Sequence, residues 1–165
     1  MRDEKYKVVS DSLADSLNFQ LSKEKFNANL YLFIAGDLIN RGFDRLGAFF
    51  KSQHEEETQH SLMIFDLLTN LNVPVELLEI NEVNFSINSI VDVGDKFVEA
   101  EIQTTQSLQE IKKQAEDEDC QMVVTKMLEM IANQIKEMEE SFTFKDHADL
   151  CGNDWFKVMV WDMGA

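Results

Sequence analysis

The chain has 165 residues, 44% of them hydrophobic, enough for one well-buried core on the usual scale of about 100–200 residues per domain. Thirty-one Asp and Glu against fifteen Lys and Arg give a formal charge of −16 at pH 7, which opposes contact with nucleic-acid phosphates and anionic lipid headgroups. Six Gly and one Pro are too few for the dense turns of a β-sandwich or barrel, so composition predicts one all-α domain over 1–165.

Cys120 and Cys151 form neither a disulfide framework nor a zinc-ligand pattern and read as reduced thiols, the expectation for a cytoplasmic protein. No apolar run follows the charged start Met1–Lys7, and no stretch reaches the ~18 apolar residues of a membrane span. Neither a targeting signal nor a membrane partner is expected.

In chain order, four stretches repeat an apolar seam in alternating steps of three and four, the pattern of helices packed nearly parallel in a bundle. The first helix is predicted from Ser10 to Asn40, with Leu17, Leu21, Ala28, Ala35 and Leu38 on its seam and a stop at Arg41-Gly42. The second runs from Asp44 to Leu71 on Leu46, Phe50, Ile64 and Leu67. Residues from Asn70 to Asn88 contain Pro74 and lose the helical period, giving a connection of about twenty residues. At ~3.3 Å per extended residue it can run the length of a helix and restart at the opposite end, so the second and third helices should be parallel.

The third helix, Ile90 to Ala115, has Phe97, Leu108 and Ile111 on its seam and gives way to the acidic turn Glu116-Asp117-Glu118-Asp119. The fourth begins there and reaches Asp149 on Cys120, Val123, Met127, Met130, Phe144 and Ala148. The tail Trp155–Met163 is apolar on more than one face and fits either a fifth short helix or a strand-like segment.

Polar residues interrupt these seams. The periodicity turns Glu24 and Tyr31 inward on the first helix, and Gln53, Glu57 and His60 on the second. It turns Glu101 and Thr104 inward on the third, and Gln134, Glu137 and Ser141 on the fourth. All four clusters lie near mid-helix, and an unpaired carboxylate in a bundle interior costs several kcal/mol. Carboxylates gathered at one depth repel and protonate unless a multiply charged cation holds them, so a metal site is the direct explanation. Glu57 and His60, three apart on one face, can share an ion, and one carboxylate can bridge to a second. Mixed carboxylate and imidazole donors suit iron or manganese, with zinc as a redox-inert competitor.

Tyr31 reads as a core tyrosine or, beside a metal, as a supporting or redox partner. His54 and His147 fall off the seams and read as surface residues, as do Glu55 and Glu56. The eight methionines read as core and rim filler.

From about Leu13 to Leu150 the chain resembles the ferritins of the non-haem bacterial type. Leu17-Asn18 through Glu24 and Tyr31 to Glu56-Glu57-Thr58-Gln59-His60 is similar to the first two ferritin helices without a gap. The resemblance implies a ferritin-like four-helix bundle with a long crossover between helices two and three. It implies a first iron on Glu24, Glu57 and His60 and a second on Glu57, Glu101 and Glu137, with Gln134 and Tyr31 beside the di-iron centre. It implies Fe(II) oxidation by oxygen or hydrogen peroxide and storage of the ferric mineral in a homo-oligomeric shell of twenty-four subunits. Thr58 follows Glu57 where bacterioferritins place a haem-ligating Met, so no haem is expected. Gln134-Ile135-Lys136-Glu137 replaces the second Glu-x-x-His of rubrerythrins. At the third iron site of bacterial ferritins Glu56 and Glu137 match, while Asn133 and Lys136 stand where acids would be expected. The resemblance also sets the acidic turn near the threefold channels, where it would draw in cations, or else cap the fourth helix. A di-iron oxygenase or peroxidase without mineral storage, and a metal-free adaptor bundle, are the alternative readings.

Overall fold

The computed structural model describes residues 6–164, and the start Met1–Lys5 considered above lies outside them. Helix α1 (Asp11–Asn40) begins where the Ser10 hydroxyl accepts the Leu13 N–H at 3.0 Å, satisfying one of the first-turn amides that have no partner within the helix. It ends at Gly42, whose φ of +89° permits the left-handed turn in which the Phe43 N–H reaches back to the Leu38 carbonyl. Helix α2 (Asp44–Asn70) follows at once and returns antiparallel. The pair approaches so closely that a Cβ on Gly47 would sit 2.4 Å from Ile39 Cγ1, which only glycine avoids.

The connection 71–89 is extended, as its composition predicts. Its start is held by Asn18, which donates to the Pro74 carbonyl at 3.1 Å and accepts the Glu76 N–H at 2.8 Å. Its end is held by Arg41, which donates to the Ile87 carbonyl at 2.9 Å. Asn18 and Arg41 lie about six helical turns apart, about 34 Å, so the crossover travels the length of α1 and delivers helix α3 (Ile90–Asp117) parallel to α2. A reciprocal Ser89–Asp92 cap starts α3, and helix α4 (Gln121–Cys151) packs back against it.

The acidic turn corrects one expectation. Glu116 and Asp117 are the last residues of α3, and the first turn of α4 carries no acid, so the turn does not cap α4. Lys112 and Lys113, one turn earlier, pair with Glu116 and Asp117 at 2.5 and 2.9 Å and offset acids set at the negative end of the α3 dipole.

The tail is helix α5 (Trp155–Gly164). Asp154 Oδ1 accepts the Phe156 N–H at 2.9 Å and starts it. The helix lies across the ends of α2 and α4, Trp155 stacking on Phe43 and Trp161 packing on Phe144.

Two apolar clusters fill the bundle. One gathers Leu13, Leu17, Leu21, Ile64, Leu108 and Met127, the other Ile34, Phe50, Ile90, Phe97, Phe144 and Val158. Each cluster draws on all four long helices, and the inward polar residues other than Tyr31, which is part of the second cluster, occupy the stretch of each helix between its contributions to the two. Cys120 and Cys151 are buried and unbridged. Among the described residues no helix is long and apolar enough to cross a membrane.

Candidate metal centre

Every polar position that the seams turn inward is buried. Glu24 and Glu101 have no exposed surface and Glu57, Gln134 and Glu137 are at most 3% exposed, so the carboxylates lie outside the reach of bulk water. Antiparallel pairing within α1–α2 and α3–α4 and the crossover bring mid-helix positions to one depth, which is why residues as far apart in sequence as Glu57 and Glu137 meet. Ligand atoms of Glu24, Glu57 and His60 lie within 4.8 Å of one another, and so do those of Glu57, Glu101 and Glu137. Glu57 belongs to both sets.

Hydrogen bonds orient this cluster from its edges. The Tyr31 hydroxyl donates to Glu101 Oε1, and the Gln134 amide donates to Glu101 Oε2 at 2.5 Å. His60 Nε2 is 3.1 Å from Glu137 Oε1. His60 Nδ1 is 3.8 Å from Glu57 Oε2, too long for a hydrogen bond but spanned by two ligands each ~2.1 Å from one ion. One oxygen on each of Glu24, Glu57 and Glu137, the Oε2 atom in every case, is buried without a hydrogen-bond partner.

Burial and mutual repulsion disfavour the charged forms. Burial, then the charges of Glu24 and Glu101, pushes Glu57 well above the usual carboxylate range. Burial pushes Glu137 up to about 9, with Glu101 and Glu24 adding to it. Burial also raises Glu101, to about 7, while the hydrogen bonds from Tyr31 and Gln134 hold it down. The Tyr31 phenol is raised well above its ordinary value by burial, followed by the charges of Glu101 and Glu57. Three orphaned buried oxygens beside acids that resist ionisation fit a multiply charged cation, which would supply both the missing partner and the missing charge. Hard carboxylates with a single imidazole are a donor set suited to iron or manganese.

Glu56 belongs to neither ligand set. It is half-buried and pairs with Lys136, whose Nζ is 3.3 Å from both Glu56 Oε1 and Glu140 Oε1, and Asn133 is exposed. A tethered ammonium therefore stands between two acids beside the cluster. His147 is exposed and stacks on Trp161, as a surface residue can. His54 is half-buried, its Nδ1 2.7 Å from the Ala28 carbonyl, because its ring lies against α1 rather than pointing to solvent.

The seam pattern misses two buried side chains near the site, Gln20 and Asn27, and the half-buried Ser107. Gln20 donates to Glu24 Oε1 at 2.6 Å, Ser107 donates to Gln20 Oε1 at 2.5 Å, and Asn27 donates to Thr104 Oγ1 at 2.8 Å. Gln20 and Asn27 lie one position beside seam residues, where a polar side chain reads as exposed. The available signal was that each stands on the α3-facing side, one turn or less from Glu24.

The family model for ferritin, described as a ferritin-like domain, matches residues 14–148. A bacterial non-heme ferritin of Campylobacter jejuni is 31% identical over 101 residues, which are 61% of this chain and 60% of that protein, so the match spans less than two thirds of the relative's length. The fold is similar to that of an open-pore ferritin from the hyperthermophilic archaeon Archaeoglobus fulgidus, with a TM-score of 0.89 and 22% identity over 94% of this chain and 96% of that one. It is likewise similar to Chlorobium tepidum ferritin, with a TM-score of 0.85 and 22% identity over 95% of each chain. Because the family model covers most of the sequence and the whole bundle is reproduced, this chain belongs to the ferritin family.

Proposed function

We propose that this chain is a ferroxidase and iron-storage subunit, taking Fe(II) as substrate and oxygen or hydrogen peroxide as electron acceptor. The observation that carries the reading is the pair of buried ligand sets sharing Glu57, three of whose carboxylates keep an unpartnered oxygen. In this reading Glu24, Glu57 and His60 hold one ferrous ion, Glu57, Glu101 and Glu137 hold the second, and Glu57 bridges them. Tyr31 and Gln134 occupy both oxygens of Glu101 and so limit how that carboxylate can turn. Each ferrous ion gives up one electron, and the shared site lets the acceptor take two together. The apolar clusters that flank the polar layer keep bulk water from the centre.

Oxidised iron would be stored as a ferric oxyhydroxide mineral inside a shell of twenty-four copies in the cytoplasm. Large apolar side chains on the outer faces of α1 and α2, among them Phe19, Leu32, Phe33, Leu62 and Phe65, are 40–57% exposed and support self-association. The test is size-exclusion chromatography of the purified protein before and after aerobic Fe(II). A particle near twenty-four subunits that turns amber and keeps its iron supports both parts. A monomer that oxidises iron and releases it favours an oxygenase or peroxidase on the same bundle, and a chain that neither binds nor oxidises iron overturns the proposal.

A further inference from the structure

Glu24 has two oxygens in unlike situations. Oε1 accepts the Gln20 amide at 2.6 Å, while Oε2 is buried and has no partner. Gln20 is four residues earlier on α1, on the same helical face, and has no exposed surface. Its carbonyl in turn accepts the Ser107 hydroxyl of α3 at 2.5 Å. The direction of this chain is fixed by chemistry. A carboxylate only accepts, so the NH₂ end of Gln20 is the end turned to Glu24, and its carbonyl is left to accept from Ser107. Flipping the amide would set a carbonyl against the carboxylate and lose that bond, while the serine hydroxyl would only exchange donating for accepting.

We infer that Gln20, anchored by Ser107, is a positioning residue that fixes the Glu24 carboxylate to meet a divalent cation through Oε2 alone. The inference rests on the reading of Glu24 as a ligand. A neutral amide suits the task, since it holds one oxygen at a charge-assisted hydrogen-bond distance yet brings no positive charge for an arriving cation to displace. Gln134 likewise donates to Glu101 from α4, but there Tyr31 takes the other oxygen, so Glu24 differs in keeping one oxygen without a partner. Ser107 is half-buried and lies on the helix that carries Glu101, so the Gln20 link also ties the α1 ligand to the α3 ligand's helix.

The test uses Co(II) as the probe, added without oxygen to the purified full chain, with equilibrium dialysis for affinity and visible absorption for ligand geometry. Glu57→Ala serves as the control. Gln20→Leu, which keeps the volume and removes the amide, should weaken Co(II) binding about 10–100-fold, the range for lost partners of ligating residues, and change the absorption bands. Ser107→Ala should act in the same direction more weakly and add nothing further in the Gln20→Leu background, because its effect passes through Gln20. Wild-type affinity and spectrum in Gln20→Leu, or a full additive effect of Ser107→Ala in the double variant, would overturn the inference while leaving the metal centre standing. If Gln20→Leu fails to fold, Ser107→Ala alone decides, and unaltered Co(II) binding in it is the overturning result. Failure of the wild-type chain to bind Co(II) overturns the metal-centre reading itself and the inference with it.

Discussion

At the scale of single residues, Glu57 is asked for two incompatible things. Burial and three neighbouring carboxyl groups make its charge costly in the metal-free fold, and the same charge would bridge two cations. Activity and apo stability should therefore move in opposite directions. Glu57→Ala should slow aerobic Fe(II) oxidation at least about tenfold, the scale for a lost partner at a metal site, with helical circular dichroism retained. Glu57→Leu should raise the apo unfolding free energy by roughly 1 kcal/mol or more, as when buried charged groups are exchanged for apolar ones of similar volume. An unchanged oxidation rate in Glu57→Ala would remove Glu57 from the site. The acids also set a pH dependence. Glu101 and Glu137, pushed up to about 7 and about 9, keep their protons in the folded apo chain where an ordinary carboxylate near 4.5 has lost its own. The unfolded chain then binds fewer protons, so apo stability falls as pH rises, through Glu101, Glu137 and the likewise raised Glu57 to about 7, and through Glu137 and Glu57 above that. The slope is at most ~1.4 kcal/mol per pH unit for each group. Thermal unfolding of metal-free protein at rising pH reads this, and Glu137→Gln should flatten the upper part. Equal slopes in wild type and Glu137→Gln would contradict the assignment, since general acidic repulsion is shared by both.

Among the elements, α2 depends on α5 for its start. Phe43 offers no capping side chain, and the Leu46 N–H in the first turn is taken instead by Asp162 Oδ1 at 2.8 Å from the far end of the chain. Asp162 is 8% exposed, so water does not readily replace it. Asp162→Ala should destabilise by about 1–2 kcal/mol, the cost of losing a cap with a buried donor left unpaired. Asp162→Asn keeps a carbonyl acceptor and should retain most of that stability. Thermal melts of the two variants separate these outcomes, and equal melting temperatures for Asp162→Ala and wild type would show that α5 does not support α2.

For the whole molecule, a charge of −16 and the acids at the α3–α4 turn bear on cation uptake by an assembled shell. Because Glu116 and Asp117 close α3 rather than open α4, neutralising this turn removes no N-terminal cap. The Lys113–Asp117 pair is exposed and of a kind worth little to stability. Asp117→Asn with Glu118→Gln should leave the melting temperature nearly unchanged and slow Fe(II) oxidation at low salt. The difference should fade near 0.1 M, where the screening length is ~10 Å. A rate deficit that does not respond to ionic strength would count against electrostatic guidance by this turn.

The helical period by itself determined which side chains face inward, because a side chain's direction relative to its own helix axis is a local property. Glu24, Glu57, His60, Glu101, Gln134 and Glu137 were all readable on that ground, and the length of the Pro74 connection was enough to order α2 and α3. What periodicity does not carry is the rotation and offset of one helix against another. That Glu57 joins both ligand sets was implied by the family resemblance and not by periodicity, and only the tertiary structure showed that Glu56 pairs with Lys136 and that Gln20, beside the seam, is sealed under Ser107. Trp155–Met163 is apolar at both the helical and the strand period, so its sequence left the choice open. The local Asp154 cap starts it, and the contacts of Trp155 with Phe43, Trp161 with Phe144 and Asp162 with Leu46 made it a helix, since those partners come together only once the bundle has formed.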